Sequence, residues 1–212
     1  RTRVSEILSC FNKINKRQGI EDARKRLSNI VGRDVNELNQ SEILRATAES
    51  ASENSVDGIF APLFWILIGL LFWKISFLFP GPLSMALIFK ATSTIDSMIG
   101  YKEGALKWLG FAGARLDDLL TWAPCRLVLI TLPLTSRSWT LFFSLIKKAW
   151  REGILDDSPN SGISEAIFAH CAEITMGGEN KYNGVINIKP IIAEHSPKAN
   201  QASIKRILDL SL

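Results

Sequence analysis

The sequence predicts an all-α, polytopic helical membrane protein with amphipathic helices and a polar, loop-rich C-terminal part. Three observations lead to this fold class. Hydrophobic residues make up 47% of the 212 residues, and the mean hydropathy of +0.12 is high for a soluble enzyme. Residues 59–79 form a long apolar run in which Lys74 is the only charge. The residues before this run repeat apolar side chains at helical spacing.

Residues 1–58 are expected to form an amphipathic helical region that ends in an acidic helix. Val4, Ile7 and Leu8 recur at the spacing of a helix face, and a second such pattern follows Gly19. Lysine and arginine are dense in this region, which places it on the cytoplasmic side under the positive-inside tendency.

Three carboxylates mark the end of this region, in the stretch AESASENSVDGIFAPLFW at residues 48–65. Glu49, Glu53 and Asp57 are spaced i, i+4 and i+8, so they share one face of a helix. Like charges at this spacing repel one another and do not help folding. A bound cation or a cationic ligand explains them better, and the alternative is a solvated helix face.

Residues 59–146 are predicted to be membrane-embedded or membrane-associated helices with motif loops. The run from Ile59 to Phe79 is long enough to cross a hydrocarbon core of about 30 Å. Trp65 and Trp73 are typical of interfacial anchors. The alternative is a buried core helix of a soluble protein.

Two later stretches bring charges into apolar surroundings. KATSTIDSMIGYK contains Lys90, Asp96 and Lys102, and an ionisable residue inside a membrane segment is a candidate for a functional site. A lysine that reaches the interface and a capping aspartate explain the same pattern equally well.

The stretch GARLDDLLTWAPCRL places Arg115, Asp117 and Asp118 on one helical turn. Adjacent aspartates suit Mg²⁺, which takes one or two carboxylates together with substrate phosphates. Alternatively, Arg115 and Asp118 form a simple i, i+3 surface pair.

Residues 147–212 are predicted to be a polar C-terminal region with turns at SPNSG and GGENKYNG. Backbone N–H groups at such a turn can bind an anion, and Ser158 and Asn160 add donors at the first turn. The second turn lacks the spacing of a Walker A loop. The chain shows no basic and aromatic surface typical of nucleic-acid binding, so no nucleic-acid partner is expected.

Six blocks, in this order, resemble the cobalamin-biosynthesis adenosylcobinamide-phosphate synthase family (CobD/CbiB). They are ARKRLSNIVGRDV, AESASENSVDGIFAPLFW, KATSTIDSMIGYK, GFAGARLDDLLTWAPCRL, DDSPNSGISEAIFA and MGGENKYNG. The resemblance implies a multi-pass enzyme of the cell membrane whose soluble segments are cytoplasmic. With ATP and Mg²⁺ it would join adenosylcobyric acid to (R)-1-aminopropan-2-ol or its O-phosphate through an amide. The alternative is a non-catalytic regulatory or signalling relative of the same fold in the lipid bilayer.

The resemblance also implies a role for each matching motif residue. The expected catalytic carboxylates are Glu49, Glu53, Asp57, Asp96 and Asp118. The expected substrate and phosphate ligands are Asn54, Lys90, Lys102, Arg115, Ser158, Asn160, Gly177 and Gly178. The expected metal ligands are Glu53, Asp57, Asp117 and Asp118.

The chain departs from the family pattern at several points. Asp156 stands where the family usually has histidine, and Ser93 stands where asparagine is common. Family members also begin with a further membrane-spanning region, so the chain is expected to be incomplete at its N-terminus. A role for the missing histidine does not carry over.

Overall fold

Most of the described chain is helical, as its apolar periodicity predicts. The structure is a computed structural model that describes residues 1–12, 15–99, 107–136 and 139–211. The helices are α1 (Thr2–Cys10), α2 (Lys16–Leu27), α3 (Gln40–Ser55), α4 (Ala61–Ile75), α5 (Pro82–Ile99), α6 (Lys107–Ser136), α7 (Phe142–Gly153), α8 (Pro159–Ala172) and α9 (Gln201–Leu210). A π-helical turn, Val56–Phe60, joins α3 to α4, and a 3₁₀ turn, Trp139–Leu141, precedes α7.

The C-terminal region corrects the all-α prediction. The stretch MGGENKYNG forms strand β1 (Met176–Tyr182) and the turn into β2 (Val185–Ile192), and the two strands pair antiparallel. The register is irregular between Met176 and Gly178, as at a β-bulge. Gly177 and Gly178 have φ values of 81° and 91° there, a backbone conformation that glycine adopts without strain. The two glycines therefore belong to a bulged strand and do not form a loop.

The SPNSG stretch, predicted to be a turn, is likewise mostly helical. Helix α8 begins at Pro159, with Ser158 in the N-cap position. Proline is favoured in the first turn of a helix because the N–H that it lacks has no intrahelical partner there. From Pro159 onward the stretch therefore belongs to α8 and not to the predicted turn.

The described chain divides into two compact units. The first unit consists of Arg1–Glu53 and Leu129–Leu212, and the second of Asn54–Val128. In the second unit α4 and α5 pack as a helical hairpin, and a Cβ at Gly69 would lie 2.6 Å from Pro82 Cα. Trp65 Nε1 donates to the Leu120 carbonyl at 3.0 Å, so the indole, predicted as an interfacial anchor, connects α4 to α6.

Within the described part of the chain, two helices are long and apolar enough to cross a membrane. They are Gln40–Ile75, in which α3, the π turn and α4 run on continuously, and Gly110–Ser136. Many large apolar side chains of α4 and α5 are exposed, such as Leu67 and Leu87. These features support membrane association by length and composition, and the multi-pass topology stays a prediction.

The first unit has its own core. Part of it lies among α1, α2 and α3, around Ile7, Leu27 and Ile43, which are fully buried. Another part is α8, of whose 14 residues 11 are buried. Because α8 is enclosed on most sides, any charged residue on it must find its partners inside the protein.

Candidate functional site

A carboxylate–lysine cluster forms in the first unit from Glu53 on α3, Asp156 ahead of α8, Ser161 and Glu165 on α8, and Lys189 on β2. Lys189 Nζ lies 2.9 Å from Glu165 Oε1 and 3.3 Å from Asp156 Oδ2. Ser161 Oγ donates to Glu53 Oε1 at 2.9 Å and lies 3.4 Å from Glu165 Oε1. One hydroxyl and one ammonium group thus hold three carboxylates together.

Local structure explains how these side chains meet. Asp156 Oδ1 accepts the N–H of Ser158 at 3.0 Å, a short-range bond that orients an aspartate at a turn. Glu165 follows Ser161 by four residues, so both lie on one face of α8. Lys189 pairs in register with Gly178, which has no side chain to stand beside the lysine on that face of the sheet.

Glu165 is the unusual member of the cluster. Its side chain is only 1% exposed. Burial raises the pKa of Glu165 to about 7; the positive charge of Lys189 opposes this rise, and the negative charges of Glu49 and Glu53 add to it. Burial alone would lower the pKa of Lys189, but Glu165 and Asp156 raise it above its ordinary value. The lysine therefore stays charged, and Glu165 is the group that exchanges a proton near neutral pH.

One oxygen of Glu165 has no partner within the described part of the chain. Lys189 and Ser161 lie at Oε1, whereas Oε2 is buried without a hydrogen bond. Buried polar atoms are almost always hydrogen-bonded, and an exception calls for a proton, a ligand or a water molecule. This oxygen can therefore accept a hydrogen bond or a proton from a bound molecule.

Glu49, predicted to be catalytic, lies in a separate arginine network with Arg33, Arg45, Gly177 and Asn180. Arg33 Nη2 lies 2.6 Å from Glu49 Oε2, and the N–H of Gly177 donates to Glu49 Oε1 at 2.8 Å. Arg33 also donates to Asn180 Oδ1 at 2.6 Å, and Arg45 donates to the Gly177 carbonyl. Both oxygens of Glu49 are bonded within the protein, so this carboxylate fastens α3 to β1.

Gly177 and Gly178, two of the residues predicted to bind an anion in the C-terminal region, lie beside this arginine network. The Gly177 N–H is taken by Glu49, and the nearest atom to a Cβ built at Gly178 is Arg45 Nη1, at 3.4 Å. Ser158 and Asn160 lie at the N-terminal end of α8, where Asn160 is buried. Their predicted role in binding a substrate anion stays a prediction.

In the second unit, Asp96 on α5 and Asp118 on α6 lie near enough for their carboxylates to repel each other. The two helices meet closely beside this pair, since a Cβ at Gly113 would lie 3.0 Å from Ile95 Cγ2. Asp96 and Asp118, both predicted from the sequence as site residues, therefore lie close together in the fold. Among the described residues, no group of three or more His, Cys, Asp and Glu side chains is arranged to hold a metal ion.

The remaining residues predicted for the site belong to neither the carboxylate–lysine cluster nor the arginine network. The Arg115 guanidinium lies 5.2 Å from the centre of the Phe111 ring. Asp57 is half-buried in the π turn, and Asp117 is half-buried on α6. Lys90 and Asn54 are exposed, and Lys102 lies outside the described residues.

The sequence did not indicate a role in the site for Ser161, Glu165 or Lys189. A signal for Glu165 was present, because it is the only acidic residue in the largely apolar stretch ISEAIFAHCA. No comparable signal marks Lys189, whose role depends on a strand pairing that the sequence did not predict.

Comparison with known proteins identifies a protein family that matches this chain. Residues 3–211 match the family model described as CobD/Cbib protein. "Cobalamin biosynthesis protein CobD" of Synechocystis sp. is 47% identical over 172 residues, which are 81% of this chain and 48% of the relative. The protein of the same name from Yersinia enterocolitica is 36% identical over 196 residues, 91% of this chain and 57% of the relative. The chain spans about half the length of the curated relatives it matches, and no solved structure matches it.

Proposed function

The chain belongs to the CobD/Cbib protein family, and from this membership we propose that it acts in cobalamin biosynthesis as part of an ATP-dependent amide ligase. The reaction joins a carboxyl group of adenosylcobyric acid to (R)-1-aminopropan-2-ol or its O-phosphate and gives adenosylcobinamide or its phosphate. The relatives' names support the biosynthetic role, and the carboxylate–lysine cluster supports the chemistry.

Amide formation of this kind places two demands on the protein. The acid must be activated: its carboxylate oxygen attacks the γ-phosphorus of ATP, ADP leaves, and an acyl phosphate forms. The amine must then attack the carbonyl carbon and expel phosphate, and it can do so only as the neutral amine. An ammonium substrate therefore has to give up a proton to a base inside the site.

The observation that carries the proposal is the buried, unpartnered Oε2 of Glu165. A base works best when its pKa lies near the working pH, and burial raises the pKa of Glu165 to about 7. Lys189 Nζ lies 2.9 Å from Glu165 Oε1. This contact fixes the orientation of the carboxylate and therefore the position of Oε2. We assign Glu165 as the proton acceptor, with Glu53 and Ser161 positioned to bind the ammonium group.

The Asp96 and Asp118 pair fits a second role in this reaction. Mg²⁺ commonly takes only one or two protein carboxylates together with the phosphates of a substrate, so the pair suits an ATP–Mg²⁺ complex. The bound ion would offset the charge on those phosphates. Arg115 is a candidate phosphate ligand on the same helix as Asp118.

The test uses the full-length protein in detergent with adenosylcobyric acid, ATP, Mg²⁺ and aminopropanol phosphate, and detects the amide by its mass. Glu53→Ala and Asp118→Ala are expected to abolish product formation while membrane insertion stays intact. Activity retained in both variants would contradict the site assignment. Absence of product from the unmodified protein under every condition would favour the non-catalytic alternative.

A further inference from the structure

Helix α7 carries an exposed apolar stripe on its outward side. Phe143 is 80% exposed, Trp150 41% and Ile154, at the C-cap, 44%. At spacings of seven and eleven residues from Phe143, the other two fall within an arc of about 40° on a helix. The three large apolar side chains therefore lie along one side of the helix and are exposed there.

Cations border this stripe. Lys147, Lys148 and Arg151 are all exposed on the outward side of α7. Glu152 is the only acidic residue of the helix, and it turns away from this side: its Oε2 lies 2.8 Å from His170 Nε2 and accepts the N–H of Ala193 at 3.0 Å. The outward side thus combines aromatic and aliphatic groups with positive charge only.

The opposite side of α7 is packed firmly. Leu145, Ala149 and Gly153 are buried, and a Cβ at Gly153 would lie 2.5 Å from Ile163 Cα of α8. Such backbone contact leaves no room for the helix to rotate about its axis. The apolar stripe cannot turn inward, so it stays available to something outside the protein.

We propose that the outward side of α7 is a membrane-surface anchor that binds a bilayer of anionic phospholipid. A helix with cations on its polar side and tryptophan or phenylalanine beside them is typical of one that lies in the bilayer interface. The candidate span Gly110–Ser136 ends six residues before α7 begins at Phe142, so a bilayer crossed by that span would lie close to α7 along the chain. A nucleic acid would also attract the cations, but it would leave the apolar stripe without a partner.

This surface has a consequence for the carboxylate–lysine cluster. Gly153 and Gly162 bring α7 and α8 into backbone contact, since a Cβ at Gly162 would lie 2.3 Å from the Gly153 carbonyl oxygen. A bilayer that binds α7 therefore also holds α8, and with it Glu165, at a fixed distance from the lipid headgroups. The anchor does not depend on the reaction proposed above.

The test places an environment-sensitive fluorophore on Phe143→Cys in the full chain, reconstituted in nanodiscs that contain brominated lipids. Labelling is selective because Cys10, Cys125 and Cys171 are buried. The matched control is Ile188→Cys, since Ile188 on β2 is exposed to a similar degree, 76%. In nanodiscs with anionic lipid, we expect quenching at position 143 to be at least about twofold stronger than at position 188.

A charge-reversal variant tests the partner's chemistry. One cation near an anionic surface contributes about fivefold to binding, so Lys147→Glu, Lys148→Glu and Arg151→Glu together should weaken the contact on the order of 100-fold and lower quenching at position 143 to the level of the control. Reversal of Lys16, Lys25 and Lys205, three other exposed lysines, should change nothing. Equal quenching at positions 143 and 188, equal quenching in neutral and anionic lipid, or equal effects of the two triple variants would overturn the proposal.

Discussion

Replacing Glu165 with glutamine removes the proton-binding group of the carboxylate–lysine cluster and keeps its shape. The folded-state pKa of Glu165 is raised from its ordinary 4.5 to about 7. A raised pKa means that the folded protein holds the proton more tightly than the unfolded chain does. The stability contributed by this group is therefore complete below about pH 4.5 and is lost as the pH rises through about 7.

The size of the effect follows from this difference in pKa. At about 1.4 kcal/mol per pKa unit, the change amounts to roughly 3 kcal/mol. The pKa of Lys189 is raised above its ordinary 10.5, so the lysine keeps its charge between pH 5 and pH 8.5. We expect the unfolding free energy of the unmodified protein to fall by up to ~3 kcal/mol relative to Glu165→Gln over that range.

The measurement is chemical unfolding in detergent at a series of pH values, with Glu194→Gln as the control because Glu194 is exposed. The unfolding free energy of Glu165→Gln should lack the decrease between pH 5 and pH 8.5 that the unmodified protein shows. The control should reproduce the curve of the unmodified protein. The same variant should slow amide formation by about 10²- to 10⁴-fold, the usual contribution of a general base. A variant that unfolds with the unmodified pH dependence would refute the buried-proton reasoning.

Further substitutions test the contacts that build the site. Glu49→Gln should cost about 3–5 kcal/mol of unfolding free energy, since it leaves Arg33 buried without its carboxylate; Glu37→Gln, which removes an exposed partner of Lys181, should cost less than about 1 kcal/mol. Equal losses would show that Glu49 does not fasten α3 to β1. Gly153→Ala should lower the unfolding free energy by about 1–3 kcal/mol, because the added methyl group meets the backbone of Ile163. Gly32→Ala, which meets no atom within 4 Å, should be neutral or slightly stabilising by thermal unfolding, and a similar loss at both glycines would argue against close packing of α7 and α8.

The helices were predictable because helix formation depends mainly on residues that are close together in the sequence. The spacing of Val4, Ile7 and Leu8 predicts α1, where all three are buried as expected. Glu49 and Glu53 lie on α3, four residues apart, as the sequence predicts. The sequence does not predict the hairpin, because adjacent glycines are typical of a loop and the bulge that accommodates them depends on pairing with β2.

The sequence by itself determined the helical class, the apolar segments, the acidic motif on α3 and, through ordered motif blocks, the family. Tertiary structure alone decided what each carboxylate does. Glu49 and Glu53 look equivalent along the chain, yet one is bonded to Arg33 and Gly177 and the other to Ser161. Glu53 and Ser161 are 108 positions apart. Desolvation and ion pairing depend on which distant segments pack together, so the long-range fold sets them and local spacing cannot.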